Sequence, residues 1–262
     1  MATKTKTKTR AKSSNGKPKT AAAAKNRIAN VGSASAIVEI QEFKIGSLRV
    51  RLNGASALVT HNFGAESRHA MLGKQTGTDT DTDRELRCPV EEFMEAAYPV
   101  HGPQKPKPKI KDGRKIYDEK AVHNWFAKTT FGIPIVAFKN ALVSTGRTSS
   151  EFNMAGLRST FFVKAVNPKH PDYAIIDSPT PPEMDSRIVR IGRNIPMERF
   201  RPKWNQWSTE IIVEYDYAII NADQVANLLA KAGHYVGVME GRPEKCALSW
   251  GRWTLDNIAA SA

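Results

Sequence analysis

The chain has 262 residues and a mass of 29.0 kDa, enough for one large domain or two small ones around a real core. Its mean hydropathy is −0.44, and no apolar run nears the roughly 18 residues that span a bilayer, which excludes a transmembrane protein. The two cysteines, Cys88 and Cys246, make neither a disulfide framework nor a zinc site, and the net charge of +13 is spread unevenly enough to suggest a polyanionic partner.

Residues 1–27 hold nine basic and no acidic residues. The stretch 1–35, with its Lys-Thr alternation and AAAAK run, has too little apolar surface to offset chain entropy and is expected to be a disordered basic tail. Its bland alternative is a solubilising arm. Basic residues with no apolar stretch behind them are not a secretory signal, so an intracellular setting is expected.

Structure is expected from Ala36. AIVEIQEFKI and LRVRLN alternate apolar and polar residues around Gly46-Ser47, the pattern of a hairpin or meander, and ALVTHNF is a third strand candidate. A long polar insertion over about 65–130 follows, expected to be mobile. Within it ESRHAMLGKQ reads as a short helix, TGTDTDTD as a flexible acidic loop, PVEEFMEAAY as a helix started by Pro89, and KPKPKIKDGRK as extended chain. TGTDTDTD lacks the Gly and terminal Glu of a calcium loop.

GIPIVAFKNALVSTGR (132–147) reads as a helix begun at Pro134 that carries Lys139 and Arg147. STFFVKAV, YAIIDS and RIVRIG are strands, and the arginines of the last place Arg187, Arg190 and Arg193 near an exposed surface or edge. STEIIVEYDYAII (208–220) is a long strand. Asn221 or Asp223 caps the helix ADQVANLLAKAG, with Val225, Leu228 and Leu229 inward and Gly233 as its stop. A short strand, a Gly-rich loop and a final strand over 251–258 close the chain. Strand–helix–loop–strand is half of a ferredoxin-like unit. The fold class is therefore α+β, a mostly antiparallel ferredoxin-like sheet with a large insertion, 36–262 forming a single domain.

Catalytic motifs are absent: no GxGxxG after a strand, no Walker loop, HExxH, GxSxG or paired CxxC. The six histidines are scattered. No cofactor or metal is called for. The segment 187–207 interleaves six basic residues with Phe200, Trp204 and Trp207. Arginines can pair phosphates and aromatic faces can stack on unpaired bases; alternatively the aromatics are core anchors and the arginines pair with nearby acids. In the Gly-rich loop, Gly233, Gly237, Gly241 and Gly251 surround Arg242, Lys245 and Arg252. Glycines let backbone N–H groups approach a phosphate, though a plain turn explains them equally. The candidate nucleic-acid-binding residues are Lys139, Arg147, Arg187, Arg190, Arg193, Arg199, Arg201, Trp204, Trp207, Arg242, Lys245 and Arg252.

From Leu58 onward the chain resembles a family of uncharacterised tailed-phage proteins, through ALVTHNFGAESRHAMLGKQ, CPVEEFMEAAY, GIPIVAFKNALVSTGR, SRIVRIGR, RFRPKWNQWSTEIIVEYDY, NLLAKAGHYVGVMEGRPEK and GRWTL. In layout it is also similar to the RAMP superfamily of CRISPR backbone subunits, through the C-terminal helix, the Gly-rich loop GVMEGRPEKCALSWG and the large insertion. The phage family implies no established activity, and the RAMP likeness implies assembly side by side along single-stranded RNA. With the basic segments and the missing catalytic motifs, the expected protein is phage-encoded, in the host cytoplasm, non-enzymatic, and binds single-stranded RNA or DNA with self-association along it. Two other readings stand beside this one: a virion structural or assembly protein whose basic tail contacts the genome, and a RAMP-like endoribonuclease with His234 as base.

Overall fold

The computed structural model describes residues 44–77, 86–149, 151–191, 195–256 and 259–261. The basic tail, nearly all of AIVEIQEFK, most of TGTDTDTD, and Arg193 lie outside them. In chain order, β1 (Ile45–Gly54) and β2 (Leu58–Val59) precede α1 (Ala65–Thr76), α2 (Pro89–Glu95) and β3 (Pro99–His101). The hairpin β4 (Lys109–Lys111) and β5 (Arg114–Ile116) leads to α3 (Glu119–Lys128), β6 (Thr130–Pro134) and α4 (Ile135–Ser144). A 3₁₀ turn ending at Arg147 leads to α5 (Met154–Thr160), β7 (Phe161–Ala165) and β8 (Tyr173–Ile175). Next come β9 (Glu183–Ile191), β10 (Ile195–Trp204), β11 (Ser208–Asp216), α6 (Ala222–Lys231), β12 (Trp253–Leu255) and β13 (Ala259–Ser261).

The fold is mixed α+β, and every strand pairing described is antiparallel. The largest sheet runs β12-β1-β11-β7, with β13 also on β1. Alternation along β1 and β11 turns Leu48, Val50, Leu52, Ile211, Val213 and Tyr215 into the core, each such burial being worth about 1.5–3 kcal/mol before entropy is counted. Between them Arg49, Arg51, Glu210 and Glu214 face solvent, where Arg51 meets Asp177 at 2.8 Å and Lys164 meets Glu214 at 2.6 Å. That open face is therefore closed by its own ion pairs. On the buried side Phe138 and Leu142 of α4 and Val225, Leu228 and Leu229 of α6 join one core. Helix α6 begins in a capping box between Asn221 and Gln224, which satisfies two end donors at once. Two smaller sheets, β2-β10-β9 and β3-β6-β8, flank the first.

Three expectations need correction. Gly46-Ser47 is no turn: β1 continues straight through it, and Gly46 lies where a Cβ would strike the Tyr215 ring, 2.7 Å away. The helix of 132–147 is entered through Pro134, its N-cap, as expected, and runs from Ile135 to Ser144, while Thr130–Pro134 forms a strand between β3 and β8. The strand over 208–220 ends at Asp216, whose side chain accepts from the Ala218 N–H and turns the chain. Within the 65–130 stretch α2 and α3 are not loose: Phe93, Met94, Val122, Trp125 and Phe126, at helical spacing, belong to the core, while residues 78–85 lie outside the described residues.

Candidate nucleic-acid interface

A cleft of about 720 Å³ opens between α4–α5 and the loop that follows α6. One wall is α4, its amphipathic turn and α5, which bring Lys139, Ser144, Arg147 and Arg158 to the opening. The other wall is the loop over 236–245, carrying Glu240, Arg242, Glu244 and Lys245. His61 and Tyr98 line it as well. The lining thus holds five cations against two carboxylates, and Lys139, Arg158 and Lys245 enter no ion pair among the described residues.

Glu244 ties the walls together. Its carboxylate lies 3.1 Å from Arg147 and 3.3 Å from Arg242, with a side chain only 11% exposed. Burial alone pushes this carboxyl up. Hydrogen bonds from Ser144 and Arg242 and the charges of Lys245 and Arg242 outweigh it and hold the group below the usual carboxylate range. His61 is lowered by burial first and then by the charge of Arg199, and its Nδ1 is buried with no hydrogen-bond partner among the described residues.

The Gly-rich loop departs from the expected phosphate cradle. The N–H groups of Gly237, Val238, Glu240, Glu244, Lys245, Cys246, Trp250 and Gly251 all donate to backbone carbonyls within the protein, so they are spent on the loop's own fold. Gly241 has φ +68 and lies against the Trp250 ring, where any Cβ would clash. Through those eight amides the loop offers no donor to a phosphate; the side chains of Arg242 and Lys245 bring its positive charge to the cleft.

The ribbon β9–β10 sorts the arginines by face. Register pairs Arg187 with Arg199 and Asp185 with Arg201 on one face, while Arg190 opposite Pro196 is on the other. Residues three apart on a strand point opposite ways, so Arg187 and Arg190 cannot serve one surface. Arg201 is 3% exposed, bound to Asp185 at 3.0 Å and to Glu240 at 3.5 Å; it is a buried ion pair and not a free phosphate ligand. Arg187 lies over the Trp250 ring at 4.6 Å, with Arg201 at 5.8 Å. Arg199 sits near enough to His61 to shift its titration, which brings this face to the cleft's His61–Glu240 end.

Trp204 and Trp207, 3% and 4% exposed, offer no face to a base. Both are core anchors: Trp204 packs on Phe131 at 5.8 Å between ring centroids, and Trp207 donates through Nε1 to the Ser56 carbonyl at 2.8 Å. Arg252 does not line the cleft either; its guanidinium donates to His234 Nδ1 at 2.8 Å, and since a guanidinium has no acceptor, the imidazole nitrogen accepts. Of the expected residues, then, Lys139, Arg147, Arg242 and Lys245 share the cleft, and Arg187 and Arg199 flank it. Arg158 and Glu244 line the cleft without having been singled out from the sequence, where only their charge hinted at them.

No helix among the described residues is long and apolar enough to cross a membrane, and no group of three or more potential metal ligands occurs among them. No family model matches the chain and no curated protein does, so the tailed-phage resemblance has no support from either. The solved structure of a Type III-B Cmr-beta complex bound to cognate target RNA aligns over 83% of this chain and 61% of that chain, at 8% identity and a TM-score of 0.44. A likeness of that size carries no function with it.

Proposed function

We propose that the protein is a non-enzymatic single-strand nucleic-acid-binding protein whose strand lies in the cleft between α4–α5 and the loop over 236–245. One observation carries this: an open cleft lined by five cations and two carboxylates, with Lys139, Arg158 and Lys245 in no ion pair among the described residues and Lys139 lying over the Phe162 ring. Cations held apart at such a site cost self-repulsion that a phosphate chain relieves. A cleft of about 720 Å³ has the size of a small-ligand site, so an unpaired strand can enter it while a duplex can only lie across it.

The strand order β12-β1-β11-β7, with α4 between β1 and β7 and α6 between β11 and β12 in sequence, supports reading the core as a ferredoxin-like split β-α-β arrangement. The smaller sheets are then elaborations of it. The phage-encoded, cytoplasmic setting and assembly of copies along the strand are part of the same proposal and rest on the residue resemblance.

The test is binding of labelled single- and double-stranded RNA and DNA across a salt series. Arg242→Ala with Lys245→Ala should lower the magnitude of the log–log slope by roughly 0.7 per lost phosphate contact, with single strands preferred. An unchanged slope overturns the reading. Undiminished binding with loss of incorporation into phage particles favours the virion role, and cleavage of the bound strand favours an enzyme.

A further inference from the structure

The cleft cations account for phosphates, but a single strand also presents unpaired bases, and these want an aromatic face. The protein has five tryptophans. Trp125, Trp204, Trp207 and Trp253 are 2–4% exposed and cannot meet a base without unfolding. Trp250 alone is half-buried.

Its surroundings suit a stacking platform. Gly241 packs against the ring in a place no side chain could occupy, with φ +68, so the loop backbone closes on the indole. Trp250 N–H donates to the Gly241 carbonyl at 3.1 Å, fixing the backbone as well. The Trp250 carbonyl and the Arg242 Cβ both lie against Gly237, a residue of the cleft wall. The ring is thus one loop turn from the proposed phosphate ligand Arg242. Above it sits Arg187, whose side chain is 44% exposed and whose other contact is Asp185 at 3.6 Å. A guanidinium plane held that loosely is a placeholder another flat π group can displace.

We propose that Trp250 is the base-stacking platform of the interface. An unpaired nucleobase takes the place of the Arg187 guanidinium on the ring, and the displaced arginine turns to the neighbouring phosphate. This rests on the proposed single-strand reading and names the group in it that meets the base.

The experiment uses the full chain and a short oligouridylate, chosen because it forms no duplex. In the wild-type protein, acrylamide should quench the half-buried Trp250 more than the four buried indoles, and the oligonucleotide should protect it. Trp250→Phe should keep a stacking face and most of the affinity, while the protectable emission disappears. Trp250→Leu should weaken binding about 5- to 150-fold, the factor set by the ~1–3 kcal/mol of one base–aromatic stack, with the magnitude of the salt slope lowered by no more than the roughly 0.7 of the one Arg187 phosphate contact. Unprotected emission in a wild-type complex that still binds with a steep salt slope overturns the proposal and leaves the cationic cleft standing. Absence of wild-type binding at low salt overturns both. Should Trp250→Leu fail to fold, the wild-type protection and the Phe variant decide.

Discussion

Arg201 offers the sharpest separation between a folding role and a binding role. Replacing it by Met keeps the apolar length of the side chain and removes the charge. The Asp185 carboxylate, 7% exposed, then loses its partner at 3.0 Å. Breaking a buried pair from one side costs about 3–5 kcal/mol. Arg187 remains 3.6 Å from the other carboxylate oxygen, and Glu240 is 39% exposed, so water and one arginine recover part of the loss. The lower end, about 3 kcal/mol, is the expected cost. At 2–4 °C per kcal/mol for a domain of this size, the melting temperature should fall by roughly 6–12 °C. Thermal melts followed by circular dichroism measure it, and the double variant Arg201→Met, Asp185→Leu should recover most of the loss, because an apolar pair carries no desolvation penalty. An Arg201→Met protein that melts like the wild type and binds single strands with a shallower salt slope would refute this account and make Arg201 a phosphate ligand.

Trp204→Ala and Trp207→Ala should each destabilise the protein by about 3–5 kcal/mol, read from chemical denaturation, while the folded fraction binds single strands with unchanged affinity. Glu244 should give an acid limb. Its carboxyl is held below the ordinary value of 4.5, so its stabilisation is complete above that pH and is lost as pH falls through the lowered value. Melts of the wild type against Glu244→Gln should converge in that acid range and separate at neutral pH; a constant gap across the range would remove the clamp between Arg147 and Arg242.

Helix α6 was legible in the sequence because its signals are local: Asn221 and Gln224 three residues apart, then Val225, Leu228 and Leu229 on one face. The cations were legible as a composition, which located the loop over 236–245 and the strand of arginines. Arg187 and Arg190 are both exposed, as the strand pattern suggested, but the spacing of three reverses direction on a strand and puts them on opposite faces. Trp207 was ambiguous for another reason. The carbonyl that receives its indole N–H belongs to Ser56, 151 residues away, and no local pattern announces a partner at that distance. Trp250 stands in a loop without periodicity, where only the fold shows that Gly241 makes room for its ring.

The central place of β1 carries a cost during synthesis. Arg49 finds its cross-sheet partner Glu210 at a separation of 161 residues, and β12, on the opposite edge of β1, comes later still. At about 5–20 residues per second, the ribosome leaves β1 without a neighbour for roughly 10–30 s. During that interval Leu48, Val50 and Leu52 form an apolar stripe on a strand with both edges bare, a template for pairing between nascent chains. Arg49 and Arg51, interleaved with them, place like charge on any such pairing until Glu210 arrives. A chain shortened before β11 should therefore aggregate, and substituting those two arginines by threonine should lower the soluble yield of the full-length protein more than its final stability.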